Sequence, residues 1–178
     1  MRVNQWRVLP FSLMMLSLLA PSVNADSVQL NFTGSILAGT CSVDTASKNQ
    51  SVAMGDVGTI IFSSPGDRSP AQTFSIVLSC EENSPTGATV TFSGATATGD
   101  ATLLALDSGT DATTGVAIVL SDKEGNKIDL GSASSVYSLA EASANEMQFN
   151  AQYVSLVERG AITAGKANAT AQFTINYP

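Results

Sequence analysis

The sequence has no histidine, two cysteines, one tryptophan and only 13% charged residues. Without histidine there can be no His-based catalytic triad, no His-ligated zinc site and no imidazole pH switch. The charged fraction is about half the ~25% of an average soluble protein. Eight Lys and Arg stand against 15 Asp and Glu, for a net charge of −7. No basic stripe exists, which excludes nucleic acid as a partner. An apolar content of 44% also excludes an acidic disordered chain. Motifs for chemistry are missing as well. There is no phosphate-cradling glycine loop, and no serine has a histidine or lysine partner in a recognisable arrangement. Glu81-Glu82 runs into Asn83-Ser84-Pro85 and reads as an exposed turn. The stretch from Asp122 to Asp129 lacks the alternating acids and closing glutamate of a calcium loop and reads as a hairpin turn. Asn31-Phe32-Thr33 and Asn168-Ala169-Thr170 match a glycosylation sequon but fall on strand patterns and are assigned no role. No catalytic residue, metal or cofactor is expected, and the chain does not read as an enzyme.

A length of 178 residues fits one domain preceded by a leader. Arg2 and Arg7 give a positive start, and an apolar run follows from Val8 to Ala20. That run is interrupted by Pro10 and is too short for a spanning helix. Pro21 and Ser22 break it, and Val23-Asn24-Ala25 supplies small residues at a cleavage-site spacing. Residues 1–25 therefore read as a cleaved secretory signal peptide, with an uncleaved membrane anchor as the alternative. Removing Arg2 and Arg7 takes the net charge from −7 to −9. The mature chain, 26–178, is expected to be a single domain that is not embedded in a membrane.

Export puts Cys41 and Cys80 in an oxidising compartment, where one disulfide is expected. Two free thiols or an intermolecular bridge are the alternatives. Two thiolates without histidine make no standard zinc site.

The mature chain is patterned as strands. Phe74, Ile76, Leu78 and Cys80 alternate with Ser75, Val77 and Ser79. Thr89-Val90-Thr91-Phe92 is short and β-branched. Val116 to Leu120 is continuously apolar, as a strand covered on both faces requires, and Asp122 to Asn126 looks like the turn after it. Met147, Phe149, Ala151, Tyr153 and Val157 alternate with polar neighbours. Ser134 to Asn145 could hold a turn of helix. Clusters such as Ser63-Ser64-Pro65-Gly66-Asp67 punctuate these runs. The pattern predicts an all-β sandwich.

The most regular segments lie at the two ends. Val28, Leu30, Phe32, Gly34 and Ile36 share one parity near the mature N-terminus. Gly165, Ala167, Ala169, Ala171, Phe173, Ile175 and Tyr177 do so at the C-terminus, opposite Asn168, Thr170, Gln172, Thr174 and Asn176. The last strand is expected to run to the end of the sequence, so nothing after it turns back to pair. The N-terminal segment is either the first strand of its own sandwich or a detached strand that adds to another molecule's sheet edge. Periodicity cannot choose between these.

Taken together, several pieces carry a resemblance. They are the N-terminal segment with Gly34, Cys41-Ser42-Val43-Asp44, Val52-Ala53-Met54-Gly55-Asp56-Val57, Phe74 to Cys80, Gly115-Val116-Ala117-Ile118, Phe149-Asn150-Ala151-Gln152-Tyr153, and Ala169 to Pro178. Tyr177 is penultimate and Gly165 is fourteenth from the end. On these residues the chain resembles the type 1 pilin subunits of chaperone–usher fimbriae. The resemblance implies an incomplete immunoglobulin-like β-sandwich that lacks its final strand and is completed by donor-strand exchange. A periplasmic pilus chaperone would lend a strand first. At the outer-membrane usher, an adjacent pilin subunit's N-terminal extension would replace it. Residues 26–35 would be this chain's own donor extension, with Val28, Leu30, Phe32 and Ile36 filling pockets and Gly34 allowing close backbone approach. Gly165, Ala171, Phe173, Ile175, Tyr177 and Pro178 would form the acceptor groove and chaperone contact. The stretch before Cys41 is shorter than in main shaft subunits and looks like that of a minor or adaptor subunit. The implied location is a cell-surface fimbria of a Gram-negative bacterium, reached through the periplasm, with a role in adhesion. The alternative is a self-contained secreted β-sandwich that binds carbohydrate.

Overall fold

The fold is that of a computed structural model, which describes residues 39–178. The expected leader, 1–25, and the N-terminal segment carrying Val28, Leu30, Phe32, Gly34 and Ile36 lie outside the described residues. Among the described residues there are ten strands. They are β1 (Cys41–Val43), β2 (Gln72–Cys80), β3 (Gly87–Gly94), β4 (Thr96–Ala97), β5 (Asp100–Ala105), β6 (Val116–Asp122), β7 (Lys127–Ile128), β8 (Tyr137–Ser138), β9 (Ala144–Ser155) and β10 (Ala171–Asn176). Single turns of 3-10 helix occur at Thr45–Ser47, Thr59–Ile61 and Arg159–Ala161. One sheet runs β1-β2-β9-β6-β5-β4, with β7 also on β6; the other runs β10-β3-β8. Every ladder between these strands is antiparallel.

The inward residues of the two sheets meet in one core. Ile76 and Leu78 of β2 and Met147 and Phe149 of β9 face Ala88, Val90 and Phe92 of β3, and all of them are buried. The ring of Phe149 meets Phe92 edge-on at 5.1 Å and stacks on Phe74 at 5.6 Å, the geometries that aromatic quadrupoles favour. Period-2 alternation in β2 and β9 thus gives one buried face each, as expected. Every residue of β6 is buried. Its second face packs Ala117 and Val119 against Ala97, Leu103 and Val154, which accounts for its unbroken apolar run.

Asp122 closes the turn after β6. Its carboxylate accepts from the Asn126 backbone N–H at 2.8 Å and from Asn126 Nδ2 at 2.9 Å, and Gly125 takes the left-handed conformation at φ +89°. The acid that could have suggested a calcium loop is therefore engaged in holding a hairpin.

Three expectations need correction. The stretch from Ser134 to Asn145 contains no helix. Tyr137–Ser138 pairs with β3, the Tyr137 ring lies on Phe149 at 5.3 Å, and the Asn145 amide closes a loop by donating to Ala140 O and accepting from Ala140 N–H. Side-chain bonds to the backbone compete with helix in this way. Val157 lies beyond the end of β9, because the Ser155 hydroxyl donates to its carbonyl and ends the ladder. The C-terminal alternation is longer than the strand it contains. Only Ala171–Asn176 pairs with β3. The stretch before it pairs with residues 107–113 instead, through Lys166 N–H on Asp111 O, Thr113 N–H on Lys166 O and Asp107 N–H on Asn168 O.

Candidate functional site: an open groove beside the last strand

β10 is an edge strand. Phe173 lies opposite Phe92 and Ile175 opposite Val90 in its register with β3, and among the described residues no strand pairs with its other side. β1, at the edge of the other sheet, likewise has one partner, β2. Between these edges the sandwich is not closed. Val43, Met54, Val57, Phe74, Ile162, Ala167, Phe173 and Ile175 pack on the core yet are only half-buried. An unpaired edge above half-buried apolar side chains is both a hazard and a template for strand addition.

The two ends of the groove differ. At one end the Tyr177 hydroxyl donates to Cys41 O at 3.4 Å, which brings the end of β10 to the start of β1. Burial raises the Tyr177 pKa above its ordinary value of 10.0. At the other end lies a cavity of about 540 Å³ lined by Val57, Phe62, Tyr153, Ile162, Gly165 and Ala167, among others. The Tyr153 hydroxyl donates to Ala167 O at 2.7 Å and fixes that wall. Arg159 ties the cavity's two walls together, donating to Phe62 O, Ile60 O and Ser63 Oγ.

The residues predicted from sequence fall here in different ways. Phe173 and Ile175 face the groove. Tyr177 bridges its closed end. Gly165 lines the cavity, and the structure gives its physical reason: a Cβ there would lie 2.3 Å from Asp111 O, so only glycine permits the strand switch at this point. Ala171 and Pro178 are exposed. Cys41 and Cys80 form a disulfide and sit opposite one another in the β1–β2 register. The bridge anchors the short β1 that forms one lip of the groove. Sequence reasoning used Met54 and Val57 only as part of the family resemblance, with no place in the groove, and did not single out Phe62, because this irregular stretch has no period. It also missed Gly94, where a Cβ would lie 2.6 Å from Leu104 Cδ1 and 3.0 Å from Thr170 O, just where β10 begins its pairing. A glycine closing a β-branched strand is the signal that was available.

Comparisons with known proteins agree with this architecture. The family described as "Fimbrial protein" matches residues 30–178, and the chain belongs to that family. It is 34% identical to the long polar fimbria protein A of Salmonella typhimurium over 149 residues, covering 83% of this chain and 82% of that one. It is 34% identical to the type-1 fimbrial protein C chain of Escherichia coli, covering 88% and 85%. Among solved structures, an antigen and type I fimbria protein of Burkholderia pseudomallei superposes with a TM-score of 0.59 at 33% identity, covering 79% of this chain and 94% of that one. The P pilus rod subunit shares the fold at a TM-score of 0.63 and 23% identity, covering 78% and 99%. This protein is a structural subunit of a Gram-negative surface fimbria with an adhesive role, not an enzyme. Among the described residues no helix is long and apolar enough to cross a membrane.

Proposed function

We propose that the groove between β1 and β10 is an acceptor site filled in turn by two other proteins. A periplasmic chaperone supplies a strand while the subunit is in transit. At an outer-membrane usher, the N-terminal segment of the adjacent pilin replaces it. Residues 26–35 of this chain, with Ile36 after them, act as the corresponding donor for the next subunit. The observation that carries this reading is the single-sided ladder of β10 over half-buried Phe173 and Ile175. Since every strand ladder among the described residues is antiparallel, one isolated parallel bridge between Ala112 and Lys166 aside, and antiparallel pairing is the more stable per residue, the donor runs antiparallel to β10. That direction brings Val28 to the Tyr177 end and Ile36 to the cavity. Burying Val28, Leu30, Phe32 and Ile36 contributes roughly 1.5–3 kcal/mol each in gross terms, and the edge hydrogen bonds add to it. Gly34 lets the backbone approach where the groove is shallow.

The test is Gly34→Leu in cells that carry the chaperone and usher. Fibre assembly should fall sharply while the chaperone–subunit complex is recovered at wild-type yield, because the subunit's own donor segment is idle in that complex. Equal loss of both products would reject the assignment.

A further inference from the structure

Ile60 is 71% exposed and Ile61 40% exposed, the two large apolar side chains of the 3-10 turn at the cavity end of the groove. Thr59 and Phe62, three apart, share one face of that turn and line the cavity; between them Ile60 turns outward, and Ile61 is partly exposed at the edge of a smaller hollow lined by Met54, Val57 and Gln72. The turn is not loose. Ile61 N–H donates to Gly58 O, Phe62 N–H to Thr59 O, and the Arg159 guanidinium holds the carbonyls of Ile60 and Phe62. An apolar pair is thus fixed on the rim of an intermolecular site.

We infer that Ile60 and Ile61 form a second contact of the polymer, covered by the body of the subunit whose segment fills the groove, with a second copy of this chain as the occupant. The inference rests on the acceptor reading above. Its geometry follows from chain length. With the donor antiparallel to β10, Ile36 of the incoming copy seats in the cavity. Gly39 of that copy is three residues further on, at most about 11 Å of extended chain. Gly39 is a fixed point of its own domain. It is buried, its N–H donates to Asn83 O, and a Cβ would lie 2.0 Å from Glu82 O. Glu81 N–H donates to Thr40 O beside it. The incoming body is therefore held by a short leash at a defined pole, the turn around Glu81 to Ser84, and has to rest against the cavity rim. Arg159 and Lys166 lie at that rim together with Asp56, Asp111 and Glu158. Glu81, Glu82 and Glu141 lie on the incoming pole. The rim's mixed charge leaves the apolar pair as the main source of attraction.

Two measurements test this. A photo-crosslinking amino acid at position 60, in fibres grown from chaperone complexes of this chain, should join residues 39–40, 81–84 or 141–143 of another copy. A crosslinker at Phe173 in parallel fibres should join residues 26–36. Success at 173 with no crosslink at 60, or a crosslink at 60 to another surface, overturns the second contact alone. Failure at 173 overturns the acceptor reading itself. The second measurement uses Ile60→Asn with Ile61→Asn. This variant should bind a synthetic 26–36 peptide with unchanged affinity, since the peptide has no body, while its fibres dissociate in urea about tenfold faster. Equal effects on peptide and fibre, or none on either, overturn the inference.

Discussion

Phe173 offers the sharpest test of the open groove. It packs on the core opposite Phe92 but remains half-buried. Full burial of such a side chain is worth roughly 1.5–3 kcal/mol, so covering the third at most that is still open contributes up to about 0.5–1 kcal/mol when a strand docks. Phe173→Ala removes that gain. The dissociation constant of a synthetic peptide spanning residues 26–36 should rise about two- to fivefold, since 1.4 kcal/mol is a factor of ten. Thr174→Ala is the control. Thr174 is the next residue on the same strand, exposed on the opposite face, and its removal should leave the constant within a factor of two. The assay is fluorescence titration of a refolded subunit lacking residues 26–35. Equal responses at 173 and 174, or no response at 173, would refute the claim that the incoming strand covers this face of β10.

Other consequences follow from the same structure. Opening the Cys41–Cys80 bridge frees a loop with a sequence separation of 39; by the loop-entropy estimate this costs about 4 kcal/mol, and the urea midpoint of a strand-complemented subunit should fall accordingly under reductant. Gly165→Ala drives a Cβ toward Asp111 O, a clash with backbone that nearby side chains cannot relieve. A loss of about 1–3 kcal/mol is expected in thermal unfolding, and an unchanged melting temperature would contradict the close approach. Acid should also destabilise the domain. The Ser64 and Ser63 backbone N–H groups lower the pKa of Asp67, and the Thr102 hydroxyl and N–H lower that of Asp100. For Asp122 burial raises the pKa, but the hydrogen bonds from Asn126 outweigh it and the net shift is down from 3.8. Folded values below unfolded ones mean that this stabilisation is complete above about pH 4 and is lost as pH falls through the folded values. Urea midpoints should therefore drop between pH 5 and pH 2, and a rise over that range would be the wrong sign.

Much of this was legible in the residues, for identifiable reasons. β2, β6 and β9 are long and each buries a face or both, so composition and period agree with tertiary environment. The shared parity of Phe173 and Ile175 was equally plain, while the groove it faces was only implied by the family resemblance. What periodicity could not show is how far a pattern is used as a strand. From Gly165 to Tyr177 the alternation continues unbroken, yet the chain changes partner near Ala169, because Asp111 and its neighbours offer the first half a different set of backbone groups. That Val57 and Phe62 share a cavity wall had no periodic signal, because the stretch holding them is irregular apart from one 3-10 turn. The part from Ile60 to Ser63 is held by Arg159, about a hundred residues away in sequence. A contact of that kind leaves no local signal.

The arrangement of the poles explains why the missing strand should come from another molecule. β10 runs toward Tyr177, whose hydroxyl reaches Cys41, so the N-terminal segment joins the domain at the pole where β10 ends. Were this segment to fold back into its own groove, it would run parallel to β10 and bring Ile36 beside Tyr177, far from the 540 Å³ cavity. Parallel pairing is the weaker ladder, and the cavity would lose its side chain. A neighbour's segment has no such constraint and can enter antiparallel. On the acceptor reading proposed above, donor pole and acceptor cavity would lie at opposite ends, so the contact would be head-to-tail and would propagate. Moving residues 26–36 to follow Pro178 through a short glycine-rich turn should reverse the logic. The segment would then return antiparallel along β10 as a hairpin within one chain. That monomer should melt well above the mature chain with its segment in the native N-terminal position, and it should no longer polymerise. Equal melting temperatures for the two arrangements would show that strand direction does not set the preference for a partner's strand.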